Sequence, residues 1–168
     1  MSPPVRAAAA HAVSYRPMTA DDYGFTEALY RSTRWEELAQ TGWSDAVKHA
    51  FLAQQHAAQH QHYQRHYSGA AWLIVERHGA AIGRLYLDQW DDEVRVIDIS
   101  LLPAARGQGI GGAILQDVID AAARNGRFVS IHVEKNNPAR RLYARLGFVL
   151  TEDKGVYDLM TCRAALPD

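Results

Sequence analysis

A glycine-rich stretch, Arg106-Gly107-Gln108-Gly109-Ile110-Gly111-Gly112, lies between an apolar, β-branched run (Val94 to Leu102) and a long helical pattern. A strand therefore hands over to a helix through a loop almost free of side chains. The first turn of a helix carries N–H groups without internal partners, and the helix dipole adds partial positive charge, so such a junction stabilises phosphate oxygens. Glycine lets a ligand reach the backbone, and Arg106 adds a fixed positive charge at the rim. No Lys-Ser or Lys-Thr pair follows the glycines, which excludes a P-loop. Gly107, Gly109 and Gly112 do satisfy G-x-G-x-x-G, and Glu134 ends the next strand roughly where a ribose-binding acid would lie. Pro103-Ala104-Ala105-Arg106 nevertheless separate the strand from the glycines, and the unit begins too late in the chain for the usual parallel dinucleotide-binding sheet.

The patterning around this junction predicts the remaining elements. A strand over Val13 to Arg16 leads to Thr19, a helix cap with acids in the first turn. Helices are predicted from Ala20 to about Gln40 and from Ser44 to about Tyr67, with a break at Thr41-Gly42. Ala71 to Glu76 and Ala81 to Gln89 read as a hairpin around His78-Gly79, followed by the strand Val94 to Leu102. Gly109 to Arg124 reads as a helix with Ile110, Ile114, Val118 and Ala122 on one face and Gly126 at its end. A strand over Phe128 to Glu134, a helix over Pro138 to Leu146 capped by Asn137, and a hairpin of Phe148 to Thr151 with Val156 to Arg163 complete the chain.

Two segments carry a resemblance to a known family. Arg106-x-x-Gly109-x-Gly111, preceded by Leu101-Leu102-Pro103, resembles the pyrophosphate-gripping signature of the GCN5-related N-acetyltransferases, the GNAT superfamily. Asn136-Asn137-Pro138-Ala139-Arg140-Arg141-Leu142-Tyr143-Ala144-Arg145-Leu146-Gly147-Phe148 is similar to a second motif of the same family, in the right order and spacing. The resemblance implies an α/β GNAT fold: a central mixed, mostly antiparallel sheet of about six or seven strands, flanked by four helices and splayed at the cofactor-binding strands. It implies an N-acetyltransferase that moves an acetyl group from acetyl-CoA to a primary amine by direct transfer in a ternary complex. Two alternatives stay open, a non-catalytic acyl-CoA-binding or sensing domain and an acyltransferase using another acyl-CoA.

The same resemblance implies site residues. Arg106, Gly107, Gln108, Gly109, Ile110, Gly111 and Gly112 would hold the pyrophosphate, and Ile99, Ser100 and Leu101 would contact pantetheine through their main chain. Asn136 and Asn137 compete for a contact to the cofactor arm, since Asn137 is also an adequate helix cap. Tyr143 matches the tyrosine that points at the thioester sulfur, where a phenol can protonate the leaving group. For the base, alternation puts Ser130, His132 and Glu134 on one face of their strand, and His132 has the better unperturbed pKa for taking a proton near neutrality. Asp98 becomes competitive if burial raises its pKa, and a water chain without a single base is the third option.

Composition is consistent with one soluble domain over residues 13–168, preceded by a disordered, Ala/Pro-rich leader over 1–12. Charges are interspersed and the net charge is −1, so no basic stripe suggests nucleic acid. No run suggests a membrane span, and a cytoplasmic monomer or homodimer is expected. Cys162 is the only cysteine and reads as a small strand hydrophobe. His56/His60 and His62/His66 have i,i+4 spacing, but no cysteine or acid joins them, so a polar helix face is expected rather than a metal site. Trp35, Trp43, Phe51, Tyr63 and Tyr67 would line an acceptor groove with these histidines or else belong to the core.

Overall fold

The computed structural model describes residues 3–165. Seven strands form one sheet: β1 (Val13–Pro17), β2 (Ala71–Arg77), β3 (Ala80–Gln89), β4 (Glu93–Leu101), β5 (Phe128–Glu134), β6 (Val149–Asp153) and β7 (Tyr157–Cys162), in spatial order β1-β2-β3-β4-β5-β7-β6. Every pairing is antiparallel except β4 with β5. Four α-helices, α1 (Tyr23–Arg34), α2 (Asp45–His66), α3 (Ile110–Arg124) and α4 (Arg140–Arg145), flank it. The expected mixed sheet, helix count and element order all hold.

The predicted periodicities account for the packing. Ile110, Ile114, Leu115, Val118, Ile119 and Ala122 of α3 are buried in one cluster with Leu85, Leu87, Val94 and Val96, and with Val129, Ile131 and Val133 of β5. His78 and Gly79 both adopt positive φ (53° and 76°), as a tight right-twisted hairpin requires. Ser44 caps α2, its hydroxyl accepting from the Val47 N–H at 3.3 Å.

Three expectations change. The first helix ends at Arg34, and Trp35–Thr41 form a 3-10 segment that stops at Gly42 with φ 71°. Ser32 and Thr33 hydroxyls donate to the Leu29 and Tyr30 carbonyls, competing with regular helix bonding where the helix tightens. The last helix is regular only over Arg140–Arg145, yet the Asn137 side-chain oxygen still accepts from the Ala139 N–H at 2.9 Å, which is the cap its position suggested. Residues 6–12, assigned to a disordered leader, are docked on α3. The N–H groups of Arg6, Ala7 and Ala8 converge on the buried Asp117 carboxylate at 2.8–3.1 Å, and Ala8–His11 form a 3-10 turn. A buried aspartate on a helix face needs such partners, and the docking follows from that need.

His56 is buried between α1 and the sheet, with no hydrogen-bond partner on either ring nitrogen among the described residues. It faces Tyr23 and Tyr30 of α1, with His60 one turn along α2. Burial first, then the charges of Arg84 and His60, push its pKa down to about 4. The unfolded chain takes up this proton below about pH 6.5, while the folded protein resists until about pH 4. Folding stability is therefore expected to fall through that window by up to about 3 kcal/mol on account of His56 alone. Urea denaturation at pH 7.5 and 4.5 checks this: His56→Leu should flatten the difference, and parallel losses in both proteins would contradict it.

Candidate active site

The parallel ladder between β4 and β5 runs from Glu93↔Phe128 to Val96↔Ile131 and stops there. Both strands continue, β4 to Leu101 and β5 to Glu134, so a gap opens between their C-terminal halves. The strands part where β4 is irregular: its register against β3 shifts between Tyr86↔Asp98 and Leu87↔Val96, leaving Ile97 as the extra residue. Such a bulge turns the following side chains over. Without it Asp98 would share the α3 face with Val94 and Val96; with it, Asp98 meets Tyr63 of α2.

The main chain beyond the bulge can be assigned by parity. The Leu102 N–H donates to the Ile82 carbonyl on β3 at 2.8 Å, so the amide groups of Ser100 also face β3, while those of Ile99 and Leu101 face the gap. Of the three proposed pantetheine contacts, Ile99 and Leu101 have the required orientation. Ser100 does not, and its hydroxyl donates to Asp98 at 2.7 Å.

The glycine loop closes one end of the gap. Gly107 and Gly109 adopt φ values of 72° and 82°, and Gly109 precedes α3. Among the described residues, none of the N–H groups from Gly107 to Gly112 donates to a protein acceptor; the first regular bond is from Ala113 to the Gly109 carbonyl. Arg106 is steadied by the Leu101 carbonyl (2.8 Å) and the Ser32 hydroxyl (3.2 Å). Gln108 is tied by its side chain to Ala104 and Arg77. At Gly112 a Cβ would lie 3.3 Å from Leu142, so this glycine also permits close approach of α3 and α4.

Tyr143 projects from α4 into the core beside Phe148, with ring centroids 5.8 Å apart, and its hydroxyl has no protein partner among the described residues. Burial, reinforced by the Asp98 charge, pushes its pKa up to about 12, so the phenol keeps its proton at neutral pH. The neighbouring asparagines differ. The Asn137 oxygen is engaged in capping, whereas the exposed Asn136 side chain has no such engagement.

On the opposite side of the sheet, α1 and α2 roof a cleft of about 640 Å³ whose walls include Tyr30, Arg34, Tyr63, Ile97, His132 and Lys154. Tyr67 also lines it, while Trp43 and Phe51 are exposed and pack edge to face at 5.2 Å. Asp98 sits beneath, receiving Arg84 through both Nε (3.2 Å) and Nη2 (2.8 Å), together with Tyr63 and Ser100. Burial alone would raise its pKa, but the Arg84 charge and these hydrogen bonds outweigh burial and hold the carboxyl below the ordinary range. The rise that would have made Asp98 a competitive base is therefore absent.

His132 does reach the cleft, on the same face as Ser130, as alternation required. Burial and the nearby Arg95 lower its pKa, so it is neutral at neutral pH. Arg95 Nη1 lies 3.4 Å from His132 Nδ1. A guanidinium only donates, so Nδ1 accepts and the neutral ring carries its hydrogen on Nε2. The ring thus offers the cleft a donor, and it could take a proton only by giving up Arg95.

The chain's residues 32–148 match the model of the Acetyltransferase (GNAT) family. The chain belongs to the GNAT acetyltransferase family. Solved structures agree on the fold. PaiA N-acetyltransferase from Thermoplasma acidophilum, in complex with coenzyme A, aligns at a TM-score of 0.67 with 14% identity, over 90% of this chain and 99% of that one. A GNAT family acetyltransferase from Elizabethkingia anophelis with acetyl-CoA bound gives 0.59 and 18%, over 91% and 99%. Spermidine N-acetyltransferase from Vibrio cholerae, in complex with CoA and spermine, gives 0.58 and 17%, over 89% and 93%. No curated protein matches the chain in sequence. This GNAT chain has no group of three or more potential metal ligands among its described residues, and no described helix is long and apolar enough to cross a membrane.

Sequence reasoning did not single out Arg34, Arg95 and Lys154, which line the cleft of this GNAT chain, or Arg84, which pairs with Asp98 beneath it. For Arg84 a signal existed: a charged residue in the middle of an apolar strand must find a buried partner, and Asp98 is that partner.

Proposed function

We propose that this GNAT protein transfers an acetyl group from acetyl-CoA directly to a primary amine in a ternary complex. The observation that carries the reading is the parting of β4 and β5 after Val96↔Ile131, next to a loop whose N–H groups from Gly107 to Gly112 have no protein acceptor among the described residues. Those donors, with Arg106, suit a pyrophosphate. The gap-facing amides of Ile99 and Leu101 suit an arm that pairs with the strand edge, and Asn136 is better placed than Asn137 to add a side-chain contact. Relatives of the same fold that hold CoA or acetyl-CoA support the choice of co-substrate.

In this reading acetyl-CoA supplies the activated acyl group, and the chain supplies orientation and protons. The amine nitrogen forms its bond to the acyl carbon as the bond to sulfur breaks. Tyr143 donates its phenolic proton to the departing sulfur. The amine loses its proton to solvent in the cleft, because Asp98 is held ionised by Arg84 and the His132 lone pair is directed at Arg95.

Tyr143→Phe is accordingly expected to lower turnover about ten-fold to several hundred-fold with little change in CoA affinity. The wild-type rate should rise with pH as free amine accumulates and show no descending limb between about pH 7 and 10, since Tyr143 stays protonated until about 12. Steady-state kinetics across that range checks both. Normal turnover by Tyr143→Phe would assign the proton elsewhere, and a descending limb near neutrality would require another acid.

A further inference from the structure

We propose that the acceptor is an amine carrying a carboxylate, of the free amino-acid class, and that the cleft discriminates against polyamines. This inference names the substrate class and rests on the acetyl-transfer reading.

The charged side chains in the cleft walls are Arg34, Arg95 and Lys154, and none of the lining residues is an aspartate or glutamate. Their compensating carboxylates stand outside the walls: Glu37 and Glu134 bind Arg34, Glu93 binds Arg95, and Glu152 binds Lys154. The neutral lining groups add to the excess of donors. Gln59 accepts from Arg84 through its Oε1 at 2.8 Å, which leaves its amide N–H groups for a ligand. His132 offers Nε2–H for the reason given above. Asp98 is saturated by Arg84, Tyr63 and Ser100.

The three cations are not equivalent. Arg95 commits all its nitrogens to Ser130, His132 and Glu93, so it shapes the wall. Among the described residues, Arg34 Nε has no protein acceptor and the Lys154 side chain holds only Glu152, with 44% of it exposed. Arg34 and Lys154 are therefore the groups able to add a ligand carboxylate. A polyamine would find no carboxylate among the lining residues for its second ammonium group. The cleft's size falls within the range of small-ligand sites, and its tyrosines supply apolar area for an amino-acid side chain.

The test uses the full chain saturated with CoA for binding and with acetyl-CoA for turnover. L-Phenylalanine, L-leucine and L-glutamate are compared by calorimetry and kinetics with their α-amides, their decarboxylated amines and spermidine. The free acids are expected to bind at least about ten-fold more tightly than the matched amides, as for one lost charge-assisted hydrogen bond. Lys154→Gln and Arg34→Gln should each shrink that ratio. Equal affinities, a preference for spermidine, or binding of none of the panel would overturn the inference. Turnover of spermidine alone would overturn it while leaving acetyl transfer intact. Selective binding of acids with no product formed would keep the cleft's preference for a carboxylate ligand and overturn the transfer reading, and with it the role of that ligand as acceptor.

Discussion

Asp98→Ala is expected to destabilise the folded protein by about 3–5 kcal/mol, because it strips a buried guanidinium of its counter-charge. Arg84 is only 3% exposed and meets Asp98 at 2.8 Å; without the carboxylate its remaining side-chain partner is Gln59. Tyr63 and Ser100 lose an acceptor in the same step. Urea denaturation at neutral pH reads the loss, and the double variant with Arg84→Leu should recover part of it, since no unpaired charge then remains. The folded state holds Asp98 ionised more strongly than the unfolded chain does. Its contribution is thus complete above about pH 4 and disappears only as pH falls through the lowered folded value. An Asp98→Ala protein of unchanged stability but lost activity would contradict this assignment and return Asp98 to the chemistry.

Gly109→Val should raise the dissociation constant for CoA at least about a hundred-fold, equivalent to losing two charge-assisted hydrogen bonds of about 1.5 kcal/mol each. Gly109 sits at φ 82° at the entrance to α3, so a β-branched side chain there disfavours the local backbone by about 1–2 kcal/mol and covers the donors beside it. A Cβ would meet only His11, at an ordinary 3.7 Å, so the domain itself should stay folded. Calorimetry together with a thermal melt separates the two effects. Unchanged CoA affinity in a folded variant would place the pyrophosphate elsewhere.

How much of this was legible in the sequence depended on whether the determinant was local. The glycine loop, the alternation in β5, the Asn137 cap and the His78-Gly79 turn all follow from short-range rules, and each is found where those rules put it. The side on which Asp98 emerges was not legible, because one extra residue at Ile97 reverses the alternation and nothing in a strand-like run marks a bulge. The chemistry of the base candidates was equally hidden. The sequence offers His132 its unperturbed pKa and Asp98 a rise on burial, but Arg95 and Arg84 approach from other strands and decide which nitrogen carries the hydrogen and which way the carboxyl shifts. The docking of residues 6–12 depends on Asp117, more than a hundred positions away in sequence. The cleft, built from residues of α1, α2, β4, β5, β7 and the turn before β7, is a tertiary property throughout.

The most direct measurement of the central claim is mass spectrometry of the protein and of an amine panel after incubation with acetyl-CoA. Direct transfer predicts that the protein alone keeps its mass, and that addition of an acceptor yields an acetylated amine with one CoA released per product. An acetyl group retained covalently on the protein would contradict direct transfer. CoA binding with no acetylated amine from any member of the panel would contradict the acetyltransferase reading itself and leave a chain that only binds the cofactor.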